Sequence, residues 1–143
     1  MPNEKNLTRF IIAQKTDYET ALAEIKKGRK TSHWMWYIFP QIQGLGLSET
    51  SRFYSIRDLE EATEYLHHPS LGTRLIAISI ELLKLKASNA RMIFGVPDDM
   101  KLKSSMTLFA SLPGADPVFQ KVLDKYFDGE ADRETLRIIG KEE

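Results

Sequence analysis

The chain has 143 residues, the size of one ordinary domain, with twenty basic and twenty acidic residues and no formal net charge. That balance argues against a dedicated duplex-DNA binder, which carries a clear basic excess. Cysteine is absent, which excludes disulfides, thiolate metal sites and cysteine nucleophiles and fits a reducing cytoplasm.

The opening residues Met1-Pro2-Asn3-Glu4-Lys5 are not followed by an apolar run long enough for a signal peptide. Leu7, Phe10 and Ile11 form a first short apolar stripe. Thr16-Asp17-Tyr18-Glu19 then has the form of a capping box, a hydroxyl with Glu three residues on. It predicts a fresh helix start, with Tyr18, Leu22 and Ile25 at i, i+4 and i+7 and Gly28 as the left-handed residue that ends it. The aromatic run 34–39 fits a buried strand or a buried helical turn. A lone strand among helices leaves backbone groups unpaired, so a short helix capped by Ser32 and stopped by Pro40 is the better expectation. Residues 41–48, with Gly44 and Gly46, read as a loop.

Asp58-Leu59-Glu60-Glu61 is a second box, with a stripe of Leu59, Ala62 and Leu66 and a stop at Pro69. Leu71, Leu75, Ile78, Leu82 and Leu85, widened by Ile76, Ile80 and Leu83, form an apolar surface that nearly rings its helix. Such a helix is buried on several sides, so 71–86 is expected to be the central one. Arg74, Glu81 and Lys84 interrupt it, and it is too short to span a bilayer, which takes about 20 apolar residues. The run 91–96 is the nearest rival strand, without an obvious partner. Later starts are Asp98 and Asp99 before Leu102, Met106 and Phe109; Asp116-Pro117 before Phe119, Val122, Leu123 and Phe127; and Asp132 before Leu136 and Ile139. Gly114, Gly129 and Gly140 close segments. The expected architecture is all-α: one domain over 1–143, with a core over 7–139, of about six to eight helices around the central helix.

The string Ser32-His33-Trp34-Met35-Trp36-Tyr37-Ile38-Phe39-Pro40-Gln41 holds both tryptophans and one of three histidines. With Gly44-Leu45-Gly46, His68-Pro69-x-Leu71-Gly72-x-Arg74-Leu75 and Lys101-x-x-Ser104-Ser105-Met106-Thr107-Leu108-Phe109, it resembles an uncharacterised family of small bacterial proteins. The likeness runs from about residue 7 to 139. Members are sometimes labelled calpastatin, but calpastatin-type inhibitors are long and disordered, whereas this chain has the apolar content of a packed domain. The resemblance implies a compact, mainly α-helical fold and no particular activity. Tyr37 stands where Phe is more usual in that family.

Chemistry concentrates in two places. On a helix His33, Trp36 and Tyr37 share a face at i, i+3 and i+4, with Trp34 on another. Aromatic walls with a few convergent polar groups hold planar ligands, and His33 titrates near neutral pH and could move a proton. The competing account makes both indoles core anchors and His33 a satisfied structural group. In the second place Lys101, Ser104 and Ser105 share a helical face opposite Leu102, Met106 and Phe109. The order is the reverse of the Ser-x-x-Lys of Ser–Lys hydrolases. An ammonium beside two hydroxyls suits an anion, and a solvated polar face is the plainer account.

The basic run Lys26-Lys27-Gly28-Arg29-Lys30 could follow a single strand of nucleic acid or simply place cations at a helix C-terminus; the second needs no ligand. Adjacent His67 and His68 diverge by about 100° on a helix, so a metal site is not expected, nor a cofactor. The functional expectation is a small planar anionic ligand, nucleotide-like, bound and potentially turned over in a cleft formed by His33, Trp34, Trp36, Tyr37 and Gln41, with Lys101, Ser104 and Ser105 on its anion side. The alternatives are a protein-interaction or homo-oligomer surface built on the aromatic segment and, less favoured, single-stranded nucleic-acid binding. No membrane partner is expected, and the cytoplasm is the expected location.

Overall fold

The structure, a computed structural model, describes residues 6–141. The expectation about a signal peptide concerns the first residues and lies outside them. Among the described residues the chain forms nine helices: α1 (Thr8–Lys27), α2 (Met35–Ile38), α3 (Glu49–Phe53), α4 (Leu59–His67), α5 (Leu71–Lys84), α6 (Ala90–Phe94), α7 (Asp98–Ala110), α8 (Val118–Phe127) and α9 (Arg133–Ile138). Extended pairing among them is a single parallel bridge between Ile42 and Ile56. No described helix is long and apolar enough to cross a membrane.

One hydrophobic core joins the helices. At its centre lies α5, packed against α1, α4 and α8. Its buried side is Leu71, Gly72, Leu75, Ile78, Ser79 and Leu82. The apolar ring is incomplete, since Ile76 and Leu83 are half-buried and Ile80 faces solvent. α8 closes the end of α5: the Lys125 ammonium donates to the carbonyls of Leu83 and Leu85, and the Tyr126 hydroxyl donates to that of Leu82. The last carbonyls of a helix lack i+4 donors, and of these three only that of Leu82 also accepts from a backbone N–H, that of Leu85 at 3.4 Å.

Three local expectations are corrected. α1 is continuous from Thr8, so Thr16 is an exposed mid-helix residue and caps nothing. The stripe Phe10, Gln14, Tyr18, Ala21, Ile25 stays in phase through it, and Gly28 ends the helix at φ 80°. Ser32 does not cap α2, which begins at Met35 with Trp34 at its N-cap; its hydroxyl goes to Glu24 instead. The run 91–96 is not a strand: Ala90–Phe94 is helical, capped by the Asn89 side chain on the Arg91 N–H. The Asp58 and Asp132 caps form as expected, on the N–H groups of Glu61 and Thr135.

Beneath α3 and α4 sits a buried ion pair. The Arg9 and Glu61 side chains are each 1% exposed and meet at 2.9 Å. Arg9 also donates to the carbonyls of Asn6, Phe53 and Ser55. These bonds tie the 53–55 turn to α1.

Candidate functional site

The aromatic segment is positioned by one carboxylate that the sequence did not single out. Glu24, on α1, accepts from the Thr31 N–H, the Ser32 N–H and hydroxyl, and the Trp34 indole N–H. Burial acts to raise its pKa, but these hydrogen bonds together outweigh burial and hold the carboxyl down to about 2. Trp34 is thereby locked with its ring 1% exposed, against Phe39 and Phe94. The folded pKa lies below the ordinary 4.5, so this contribution to stability is complete above about pH 4.5 and is lost as the pH falls toward 2. It should amount to about 1–2 kcal/mol after allowance for screening by solvent. Glu24→Gln is expected to flatten that acid limb in urea unfolding followed from pH 6 to 2.5; an unchanged limb would refute the assignment.

Tyr37 is equally committed. Its hydroxyl donates to the Asp17 carboxylate and lies 3.2 Å from the His33 carbonyl. Burial, the Asp17 hydrogen bond and the Asp17 charge raise its pKa well above the usual phenol range, so it stays neutral. Because α2 starts after His33, the expected face of His33, Trp36 and Tyr37 does not exist as a helical face. His33 is exposed, with an imidazole that bonds to nothing in the protein.

Trp36 differs from Trp34. It is half-buried, and its indole N–H makes no hydrogen bond within the protein. The Lys101 ammonium sits 5.4 Å from its ring centroid, so the two segments, far apart in sequence, meet in space. Lys101 also pairs with Asp98 at 3.4 Å, and Asp98 in turn pairs with Lys30 at 2.8 Å. The Lys30 ammonium lies 5.0 Å from the Trp34 ring. One carboxylate thus holds two cations, one over each indole.

Trp36 also lines a small pit, shared with Gln41, Ile42, Gly46, Ser51, Tyr54 and Ser55. Its volume is about 10 Å³, room for a single water. The Gln41 amide makes no hydrogen bond in the protein, whereas the Gln41 carbonyl accepts from the Ile56 N–H at 2.8 Å. A side chain at Gly46 would run into the Ser51 side chain, so glycine there keeps the pit open. Two larger hollows flank it. One of about 330 Å³ lies beside Gly46, Leu47 and Arg52. The other, of about 400 Å³, lies beside Ile42, Leu59 and Ile138.

The serines are placed otherwise than their spacing suggested. Ser104 and Ser105 are buried along with Leu102, Met106, Thr107, Leu108 and Phe109, so α7 has no open Lys101–Ser104–Ser105 face. Ser104 donates to the Met100 carbonyl, with an Asp132 carboxylate oxygen at 3.4 Å. The Ser105 hydroxyl is sealed without a partner. Of the three, only Lys101 reaches the aromatic segment. The basic run is divided: Lys26 and Lys27 lie in the last turn of α1, and Lys30 is folded in against Asp98.

The model of a family described as a protein of unknown function, DUF1810, matches residues 4–139. The chain belongs to this family. A DUF1810 chain is thus all-α here, with a segment in which one indole is locked and the other half-open. It is similar to the conserved hypothetical protein Rv1873 from Mycobacterium tuberculosis, known from a crystal structure, with 43% identity and a TM-score of 0.91 over 94% of this chain and 96% of that one. No curated protein matches. Beyond Glu24, the residues that sequence reasoning missed are Asp98, Asp17 and Tyr54. Tyr54 packs against Tyr37, the rings tilted at 56° with centroids 5.0 Å apart, and lines the pit. Asp17 and Tyr54 meet Tyr37 from 20 and 17 residues away, so no local signal marked them; Asp98 pairs with Lys101 three residues on as well as with distant Lys30, and only the first of these was within reach of local reading.

Proposed function

We propose that this DUF1810 protein binds a small, planar, anionic ligand, nucleotide-like in chemistry, against Trp36. The reading rests on one observation above all: Trp36 and Gln41 both line a water-sized pit, neither the Trp36 indole N–H nor the Gln41 amide has a hydrogen-bond partner in the protein, and an ammonium is already at the Trp36 ring. Flat apolar surface with a few convergent polar groups is what orients such ligands. The pit is too small for a ring, so it takes one polar substituent while the ring rests on the indole. Lys101 supplies the charge. Its 3.4 Å link to Asp98 is looser than the 2.8 Å link of Lys30, so Lys101 is the cation freer to turn to an anion. Trp34 and Tyr37 position this surface through Glu24 and Asp17. His33, exposed to solvent, is the candidate for acid–base chemistry on the bound ligand in this reading. Ser104 and Ser105 stand apart from the contact surface in this reading. A cytoplasmic setting, where nucleotides and their derivatives are abundant, belongs to it.

The test is a thermal-shift screen of nucleotides and nucleotide-derived metabolites on the native chain, Trp36→Phe, Lys101→Met and His33→Ala. A ligand at 100 times its Kd stabilises the fold by about 2.7 kcal/mol. The shift should vanish in Trp36→Phe, which keeps a ring but loses the indole N–H, and in Lys101→Met. It should survive in His33→Ala. Since Trp34 is locked away from solvent, quenching of indole fluorescence by the same ligand reports on Trp36. A screen with no shift on the native chain sinks the proposal.

A further inference from the structure

The loop 41–48 presents a second feature that the Trp36 pit does not use. Leu47 projects from it, 81% exposed. A single exposed leucine is ordinary, but this one lines a hollow with Gly44, and against Gly44 lies Ile138, which with Leu59, Ile139, Arg57, Asp58 and Glu60 lines a hollow of about 400 Å³. Knob and hollow are separated by Gly44, where φ is +110° and a side-chain carbon would come within 3.3 Å of the Ile138 Cδ1. The loop therefore lies directly on α9, which holds the knob in place before any partner arrives. A pre-formed element loses little freedom on association.

The charges are arranged to match. Arg52 lines the hollow beside Leu47 and has no ion-pair partner. Glu60 lines the other hollow together with Asp58 and Arg57; Arg57 is paired with Glu61 at 3.2 Å, whereas Asp58 and Glu60 have no ion-pair partner, so that hollow is acidic on balance. An adjacent knob and hole, each flanked by an unpaired charge of opposite sign, form a self-complementary surface. A two-fold pair built on this face would set each Leu47 against the other copy's hollow and each Arg52 near the other's Glu60. That is the geometry of an isologous contact. We propose that this face is the dimer interface of the protein, with a second copy of the chain as its occupant. The proposal is independent of ligand binding at Trp36.

Sedimentation velocity at low and high micromolar loading tests it on the full chain. Native protein should shift toward dimer mass as loading rises. Leu47→Glu places a charge in each hollow and should weaken the dimer by more than about a hundredfold. Arg52→Glu alone and Glu60→Arg alone each set like charges against each other at two symmetric positions and should weaken it about tenfold. The double reversal restores opposite charges and should return the affinity to within about threefold of native. Leu47, Arg52 and Glu60 are all solvent-facing, and circular dichroism melts run alongside confirm that the fold is kept. Monomer mass at every loading, or a double reversal that associates no better than the single ones, overturns the proposal.

Discussion

Replacing Gly72 by Ala is expected to lower the unfolding free energy by about 3 kcal/mol or more, where the same change at an open helical position would raise it by about 1 kcal/mol. The sign alone is therefore diagnostic. Gly72 is the second residue of α5 and is buried. A side-chain carbon there would overlap the Leu66 carbonyl oxygen and come within 2.7 Å of its carbon. Both are backbone atoms of α4, so no rotamer change relieves the clash. Only a separation of α4 from α5 does, and the Gly72 N–H is bonded at 3.0 Å to the His68 carbonyl in the turn between them. Forcing that turn apart loosens Leu71 and Leu75 at the centre of the core and Tyr65 on α4, all at 1% exposure or less. Urea unfolding of Gly72→Ala with an unchanged m-value measures the effect. A midpoint equal to or above the native one would show that the two helices do not meet as described.

Gly72 stood out in the sequence only as part of a motif, and its reason lies in a contact six residues back across a turn. The same distinction runs through the chain. α4, α5, α8 and α9 were legible because their caps and stripes are local: Asp58 and Asp132 bond to N–H groups three residues ahead, and Phe119, Val122 and Leu123 bury one side of α8. α1 was read as two pieces because Thr16-Asp17-Tyr18-Glu19 has the form of a capping box, and Gln14 just before it is polar. Gln14 is nevertheless buried, its amide donating to the Tyr37 carbonyl and the Tyr65 hydroxyl, partners 23 and 51 residues away. α3 escaped notice because five residues are too few for a period. α7 misled in the other direction: Ser104 and Thr107 look polar in the sequence, yet they bond back to carbonyls four residues earlier. In that way a hydroxyl becomes tolerable in an interior.

The aromatic segment shows where local reading ends. Its importance was plain from composition, and a short helix was the right expectation for its middle. Which indole would be locked was not legible, because that depends on Glu24 one helix earlier and on Lys101 more than sixty residues later. Residue type shows that a Trp needs a partner for its N–H; only tertiary structure shows that Trp34 has one and Trp36 does not.

Removing either partner of the Arg9–Glu61 pair is expected to cost about 3–5 kcal/mol, because each leaves a polar or charged group buried without its counterpart. The two losses differ in kind. In Glu61→Leu the guanidinium keeps the carbonyls of Asn6, Phe53 and Ser55 and its place 4.3 Å from the Phe10 ring centroid, but it has lost the carboxylate that balanced it. In Arg9→Met the carboxylate keeps Arg57 at 3.2 Å and the Arg57 N–H at 3.0 Å, while the Phe53 and Ser55 carbonyls lose the donor that Arg9 supplied. Arg9→Met combined with Glu61→Leu removes both charges, which alone would bring the stability back toward native. Those two carbonyls still lack their donor, and although water can reach that of exposed Phe53, the buried one of Ser55 costs about 1–3 kcal/mol when unsatisfied. The double variant should therefore recover part of the loss and stop about 2 kcal/mol short of native. Single-variant losses below about 1 kcal/mol in denaturant unfolding would mean the pair is not buried as described. The turn that Arg9 clamps carries Tyr54 and Ser55, two walls of the pit at Trp36. Where enough folded protein remains, Arg9→Met should also weaken any ligand that the native chain binds, although Arg9 touches neither the pit nor the ring.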